Sequence, residues 1–180
     1  DSGAVKEVIE YLTNKGLTYE KDGAVWYNNI KVQTDMLTRQ GKSQEDIEKL
    51  DLKDDVLIRQ NGNPTYFAAD IAYHKNKLVT RGFDKAINIW GADHHGHVAR
   101  LKGVLEALDL DSDRLDIILM QLVRLTRDGE VVRMSKRTGK AITLVDLLED
   151  IPVDAVRFLF NMREPGSQMD FDLDLAVEQS

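Results

Sequence analysis

The stretch Ala86-Ile87-Asn88-Ile89-Trp90-Gly91-Ala92-Asp93-His94-His95-Gly96-His97 decides the fold class. Ala86 to Trp90 reads as a buried strand, Gly91-Ala92-Asp93 as a turn, and His95 to Leu108 as a helix. A glycine between a strand end and a helix start is where α/β folds place ligands, because the first helical N–H groups are unpaired there. Upstream, Val56 to Arg59 is a predicted strand and Gly62-Asn63-Pro64 a turn, with Thr65 capping a helix to about Asn76. Downstream, Leu115 to Leu125 is apolar enough for a further strand, and Asp128-Gly129 turns the chain into Val131-Val132. Leu144 to Leu148 and Val153 to Phe160 are predicted helices. Unbroken apolar strands alternating with helices predict an α/β fold whose parallel sheet is covered on both faces.

Nearer the start, Val5, Val8, Ile9 and Leu12 recur at helical spacing, and Asn14-Lys15-Gly16 stops that helix. Leu17 to Tyr19 and Ala24 to Tyr27 flank Lys21-Asp22-Gly23, a hairpin pattern. Asn28 to Asp55 is polar, with a weak helix at Ser43 to Leu50 that Ser43 caps ahead of Asp46. It is the candidate for a mobile insertion or connective segment. The expected organisation is a helix, hairpin and connective segment over 1–55, an α/β region over 56–150 and a helical junction over 151–180.

Composition narrows the function classes. The 180 residues carry 24 Lys+Arg and 31 Asp+Glu, a net charge of -7, and 42% are hydrophobic, which excludes a collagen, a disordered chain and a coiled-coil rod. With no cysteine there is no disulfide framework and no thiolate metal site, and a reducing cytosol fits. No apolar run approaches the roughly 18 residues of a membrane span. Nucleic-acid contact by so acidic a chain needs a local basic patch. The chain opens at Asp1 without Met and stops at Glu178-Gln179-Ser180 within a helical pattern, which leads to the expectation of a piece of a longer protein.

Three groups of residues could carry chemistry. Arg133-Met134-Ser135-Lys136-Arg137-Thr138-Gly139-Lys140 packs four cations into a short loop after a strand, suited to nucleotide phosphates, although composition alone favours a solvated basic turn, which charge runs usually are. On the predicted helix Thr65 to His74, Tyr66, Asp70 and Tyr73 or His74 share one face, while Phe67, Ile71 and the alanines take the buried side. A carboxylate beside aromatic rings suits a cationic ligand, since it accepts a guanidinium in two parallel bonds, although spacing alone favours an amphipathic helix with one exposed Asp. The third group is Asp93, His94, His95 and His97. Zinc is disfavoured there, because neighbours on a helix start do not converge on one ion. Two acidic runs from Asp109 and Asp170 begin like calcium loops, but Arg114 and Leu175 stand where glycine is needed, so both read as caps and solvated turns. Trp26 and Trp90 read as packing residues.

The order of these motifs resembles the arginyl-tRNA synthetases, a class I aminoacyl-tRNA synthetase family. Arg133-Met134-Ser135-Lys136-Arg137 is similar to the family's KMSKS loop, with Arg133 for the first lysine and Arg137 for the last serine. Tyr66-x-x-x-Asp70 resembles its arginine-holding helix, and Gly91-Ala92-Asp93-His94-His95 its strand-end motif. His94-His95-Gly96-His97 also fits the other class I signature, H-x-G-H, but Lys136 follows only about 40 residues later, too soon for both halves of such a fold. The resemblance covers about Val5 to Ser180, including the hairpin and the helix Pro152 to Phe158.

That resemblance implies an incomplete Rossmann-like, nucleotide-binding class I catalytic core, second half only, with an inserted hairpin and helical connective segment. Residues 56–150 would be its second half with the KMSKS-like loop, and 151–180 would lead toward an anticodon-binding domain. The implied reaction activates L-arginine with ATP to arginyl-adenylate and transfers it to tRNA(Arg) in the cytoplasm. Lys136 and Arg133 would be catalytic. Met134, Ser135, Lys136, Arg137, His94 and His97 would bind ATP, and Tyr66, Asp70 and Asp93 arginine. Mg2+ is expected as the ATP counter-ion, with no structural metal and no membrane. The implied piece would be inactive alone, partnered by the remainder of its polypeptide, and prone to self-association through a bared sheet edge. Asp-His-His also resembles the manganese-binding DHH phosphoesterases, whose upstream acidic motifs are not found here; Asp54-Asp55 is a poor substitute. A non-catalytic synthetase-like binding module is the remaining alternative.

Overall fold

A computed structural model describes residues 2–132 and 142–178. Helix α1 (Ser2–Asn14) leads into strands β1 (Thr18–Lys21) and β2 (Ala24–Tyr27), then helices α2 (Asn29–Arg39) and α3 (Gln44–Glu48). Strand β3 (Asp55–Ile58), helix α4 (Tyr66–Lys75), a π-helical turn (Asn76–Thr80), strand β4 (Ala86–Gly91) and helix α5 (His95–Ala107) follow. Then come β5 (Leu115–Met120), β6 (Val123–Arg127), β7 (Glu130–Val131), α6 (Leu144–Asp150), α7 (Val153–Asn161), β8 (Met169–Asp172) and α8 (Leu173–Glu178).

The described residues fall into two compact units, 1–88 with 96–117, and 89–95 with 118–180. In the first, β1, β2 and β3 form an antiparallel sheet. The α1 stop is a glycine turn: Gly16 takes φ +67°, and the Leu17 and Gly16 N–H groups donate back to Leu12 and Thr13. Val8, Leu12, Leu57, Ile71, Leu101, Leu105 and Leu115 are buried in this unit, each worth about 1.5–3 kcal/mol relative to exposure. In the second unit β6 pairs antiparallel with β7 and parallel with β8. Phe171, Leu147, Ile151, Val156 and Leu173 form its core. Strands β4 and β5 pair in a two-stranded parallel sheet. The chain is thus α/β with parallel strand pairing, as expected.

Several expectations change. The segment from Asn28 to Asp55 carries a full helix, α2, that its polarity concealed. Two of its buried residues are polar, Asn29 and Gln33. Asn29 Nδ2 donates to the Lys53 carbonyl at 2.9 Å, and Gln33 Nε2 donates to the Ala99 carbonyl. The Gln33 amide lies so near Gly103 that a Cβ there would sit 2.7 Å from it, so glycine permits this close approach. The apolar run from Leu115 to Leu125 is two strands, because Gln121 leaves the ladder and donates its N–H to the Pro165 carbonyl. The acidic stretch at Asp170 is strand β8, although Asp172 does cap α8 by accepting from the Asp174 and Leu175 N–H groups. Ile87 and Ile89 are 60% and 65% exposed while Ala86 and Asn88 are buried, so among the described residues β4 is covered on one face rather than both. A short apolar run looks alike in either case. Trp26 and Trp90 are half-buried, as expected. Among the described residues no helix is long and apolar enough to cross a membrane.

Candidate active site

Thr65 fixes the start of α4. Its hydroxyl donates to the Val56 carbonyl at 2.7 Å and accepts the Ala68 N–H at 3.3 Å, tying the helix to β3. Ala68, Ile71 and Ala72 face the core, as predicted; Ala69 is exposed, Phe67 half-buried, and His74 buried rather than on the open face. Tyr66 and Tyr73 stand in solvent one turn before and after Asp70.

Asp70 is half-buried and held by two imidazoles. His97 Nε2, from α5, lies 3.1 Å from Oδ2, and His74 Nδ1 lies 3.3 Å from Oδ1 and 2.8 Å from the Asp70 carbonyl. The proton positions follow from partners that can only donate. Lys77 Nζ donates to Asn88 Oδ1 at 2.9 Å, so Asn88 Nδ2 donates to His74 Nε2 at 2.7 Å and the His74 proton sits on Nδ1. Arg100 Nη2 donates to His97 Nδ1 at 3.0 Å, so His97 carries its proton on Nε2. Both imidazoles therefore give an N–H to the carboxylate. Burial alone would raise the Asp70 pKa; the bonds from His74 and His97 outweigh it and hold the carboxyl well below the usual carboxylate range.

The far end of this chain is tighter. Arg100 Nη1 pairs with Asp55 Oδ1. Burial pushes the Asp55 carboxyl up, against the pull of Arg100. Asp55 Oδ2 and Arg100 Nε are buried without a hydrogen-bond partner among the described residues. Phe67 packs edge-on to His97 at 5.5 Å and lies 5.8 Å from the Arg100 guanidinium.

Asp93 and His94 occupy the 3-10 turn that follows β4. Both are exposed, 3.7 Å apart, and the Trp90 ring lies against His94 at 6.1 Å. A Cβ on Gly91 would meet the Asp93 carboxylate, which is exposed and can turn away. Arg133, Met134, Ser135, Lys136 and Arg137 lie outside the described residues. Among the described residues no three His, Asp or Glu side chains converge to hold a metal ion.

Of the predicted site residues, the first unit brings Tyr66, Asp70 and His97 together, and the second holds Asp93 and His94. Sequence reasoning missed Lys77, Asn88, Arg100 and Asp55. A signal exists for two of the four: Asn88 is the one polar residue in an apolar strand, and Arg100 follows His97 by three residues on a helix.

No family model matches the chain. Over all 180 residues it is 59% identical to an arginine–tRNA ligase of Caldanaerobacter subterraneus subsp. tengcongensis and 53% identical to one of Acetivibrio thermocellus, spanning 29% of each. A crystal structure assigned as an arginyl-tRNA synthetase of Campylobacter jejuni superposes with a TM-score of 0.75 at 37% identity, over 96% of this chain and 34% of that one. The Thermus thermophilus arginyl-tRNA synthetase shares the fold, with a TM-score of 0.70 at 18% identity, over 97% of this chain and 36% of that one. The chain is therefore homologous along its whole length to arginyl-tRNA synthetases, and it spans about 29% of the curated relatives it matches.

Proposed function

We propose that the chain serves as part of an arginine–tRNA ligase, the enzyme that joins L-arginine to ATP as arginyl-adenylate and passes the arginyl group to tRNA(Arg). The reading is carried by one observation: a half-buried, ionised carboxylate, Asp70, held by two imidazole N–H groups on a helix whose Tyr66 and Tyr73 face solvent. Two lone pairs on that carboxylate accept the imidazoles, and two remain for the fork of a guanidinium. An ammonium cannot make that paired contact, which favours arginine over lysine.

On this reading Tyr66 and Asp93 complete the arginine contacts, and His94 and His97 line the nucleotide side. Lys136 and Arg133 stabilise the charge that develops on the ATP phosphates, assisted by Met134, Ser135 and Arg137, with Mg2+ accompanying ATP. The protein's task is positioning and charge stabilisation rather than covalent chemistry. The wider assignment is the second half of a Rossmann-like class I core over 56–150, preceded by the connective segment 1–55 and followed by the junction 151–180, in a cytoplasmic enzyme. Because the chain spans 29% of its relatives, the 180 residues alone are expected not to charge tRNA.

Calorimetric titration tests the arginine site. L-Arginine should bind in preference to L-lysine and L-citrulline, and Asp70→Asn should weaken it about 100-fold. Equal binding of arginine and lysine, or an Asp70→Asn variant that binds like the wild type, would refute the assignment.

A further inference from the structure

Two cations contact the imidazoles that hold Asp70, yet neither bonds to the carboxylate itself. Lys77, in the turn after α4, gives its Nζ to Asn88 Oδ1 at 2.9 Å, lies 3.5 Å from His74 Nε2, and sits 4.4 Å over the Tyr73 ring. Arg100, on α5, is taken by Asp55 and by His97 Nδ1. An imidazole thus stands between the carboxylate and each cation. His74 is the deeper of the two, 1% exposed, and its partner Asn88 is 8% exposed. Its Nδ1 proton is shared between the Asp70 carbonyl and Oδ1, so one ring ties the carboxylate to its own backbone. A buried polar side chain with both nitrogens satisfied has little freedom to turn.

We propose that His74 is a positioning and specificity-determining residue: locked as the Nδ1–H tautomer by Asn88 and Lys77, it orients the Asp70 carboxylate and keeps the Lys77 ammonium off it, leaving the two open lone pairs to an incoming guanidinium. This rests on the reading of Asp70 as the guanidinium acceptor. An internal ammonium on the carboxylate would close the site without any loss of charge balance. A neutral ring gives orientation while leaving the negative charge available.

The test combines readouts that a purely structural role would not move together. The ring nitrogens of His74 are read by nitrogen NMR in the wild-type chain, and the Asp70 carboxyl is titrated by carbon NMR in wild type, His74→Leu and His74→Asn. L-Arginine and L-lysine are titrated into the same three proteins. The wild type should show the Nδ1–H tautomer. His74→Leu should titrate Asp70 at higher pH, bind L-arginine about tenfold more weakly and narrow the preference over lysine. His74→Asn places an amide donor near the Nδ1 position and should restore binding to within about threefold of wild type. An Nε2–H tautomer, or a His74→Leu chain with unchanged titration and binding, overturns the proposal, as does a His74→Asn variant as impaired as His74→Leu. Should His74→Leu not fold, the wild-type tautomer and the His74→Asn arm decide alone. If the wild type shows the expected tautomer and titration but no arginine binding, the guanidinium reading fails, and the orienting role is judged on the carboxyl titration.

Discussion

Asp70 and Asp170 are both carboxylates gripped by two nitrogen donors, one in each unit. Asp170 takes the fork of Arg124, with Nε 2.7 Å from Oδ1 and Nη2 3.0 Å from Oδ2. The pair lies in register across the parallel strands β6 and β8, on the face opposite Leu125 and Phe171. Asp70 instead receives its two N–H groups from separate neutral rings. The first carboxylate is neutralised by a cation of its own chain. The second is oriented but not neutralised. Asp170 thus displays, inside the molecule, the two-pronged contact proposed above for Asp70 with a guanidinium ligand. The largest expected difference is in ligand binding: Asp70→Asn should cost about 100-fold in L-arginine affinity while Asp170→Asn leaves it unchanged, read by calorimetry. Equal effects would dissolve the contrast.

The same contrast should appear in stability at neutral pH. Asp70→Ala removes the carboxylate acceptor from the half-buried His97 imidazole and deprives His74 of one of two acceptors, at a cost of about 1–3 kcal/mol in urea unfolding. Asp170→Ala frees an exposed pair and should cost less than about 1 kcal/mol. Acid sharpens the difference. The folded-state pKa of Asp70 lies below the ordinary aspartate value of 3.8, so its contribution to stability is complete above that value and is lost as pH falls through it toward the folded pKa. The gap in urea midpoint between wild type and Asp70→Asn should therefore be widest near neutrality and shrink below about pH 4. A gap that stayed constant from pH 7 to pH 3 would show that His74 and His97 do not favour the ionised form.

Both carboxylates are visible in the sequence, and their fates are only half legible there. Helical spacing put Asp70 on the open side of α4 with Tyr66, and the capping of α4 by Thr65 was readable from one residue. The spacing also placed His74 beside Asp70, but period alone could not say that the ring turns inward. That depends on Asn88, fourteen residues away on β4, offering the only kind of partner that makes a buried imidazole tolerable. Asp170 was harder still. Asp170-Phe171-Asp172 alternates with period two and has one core residue, Phe171, so its acids mask a strand. The parallel partner that gives it meaning, β6, lies 46 residues earlier. Helix α2 was hidden for the opposite reason: its buried positions include Asn29 and Gln33, whose side-chain bonds, rather than apolar periodicity, anchor it. Local chemistry is written locally; a polar group's burial is written in its distant partner.

The smallest expected effect isolates what the fork itself contributes. Arg124→Lys keeps the charge opposite Asp170 and removes the paired geometry. Both side chains are about half exposed, 55% and 52%, so solvent screens their attraction and the ammonium recovers most of it. A double-mutant cycle of Arg124→Ala with Asp170→Ala should give a coupling of about 0.2–1 kcal/mol, and Arg124→Lys should lose no more than about half of it. Added salt should shrink the coupling further, because these charges stand in water. A coupling of several kcal/mol that survived molar salt would mean the pair is far better shielded than its exposure implies. Asp170 would then be a structural anchor of the β6–β8 pairing, and its likeness to a ligand-bound Asp70 would be one of geometry alone.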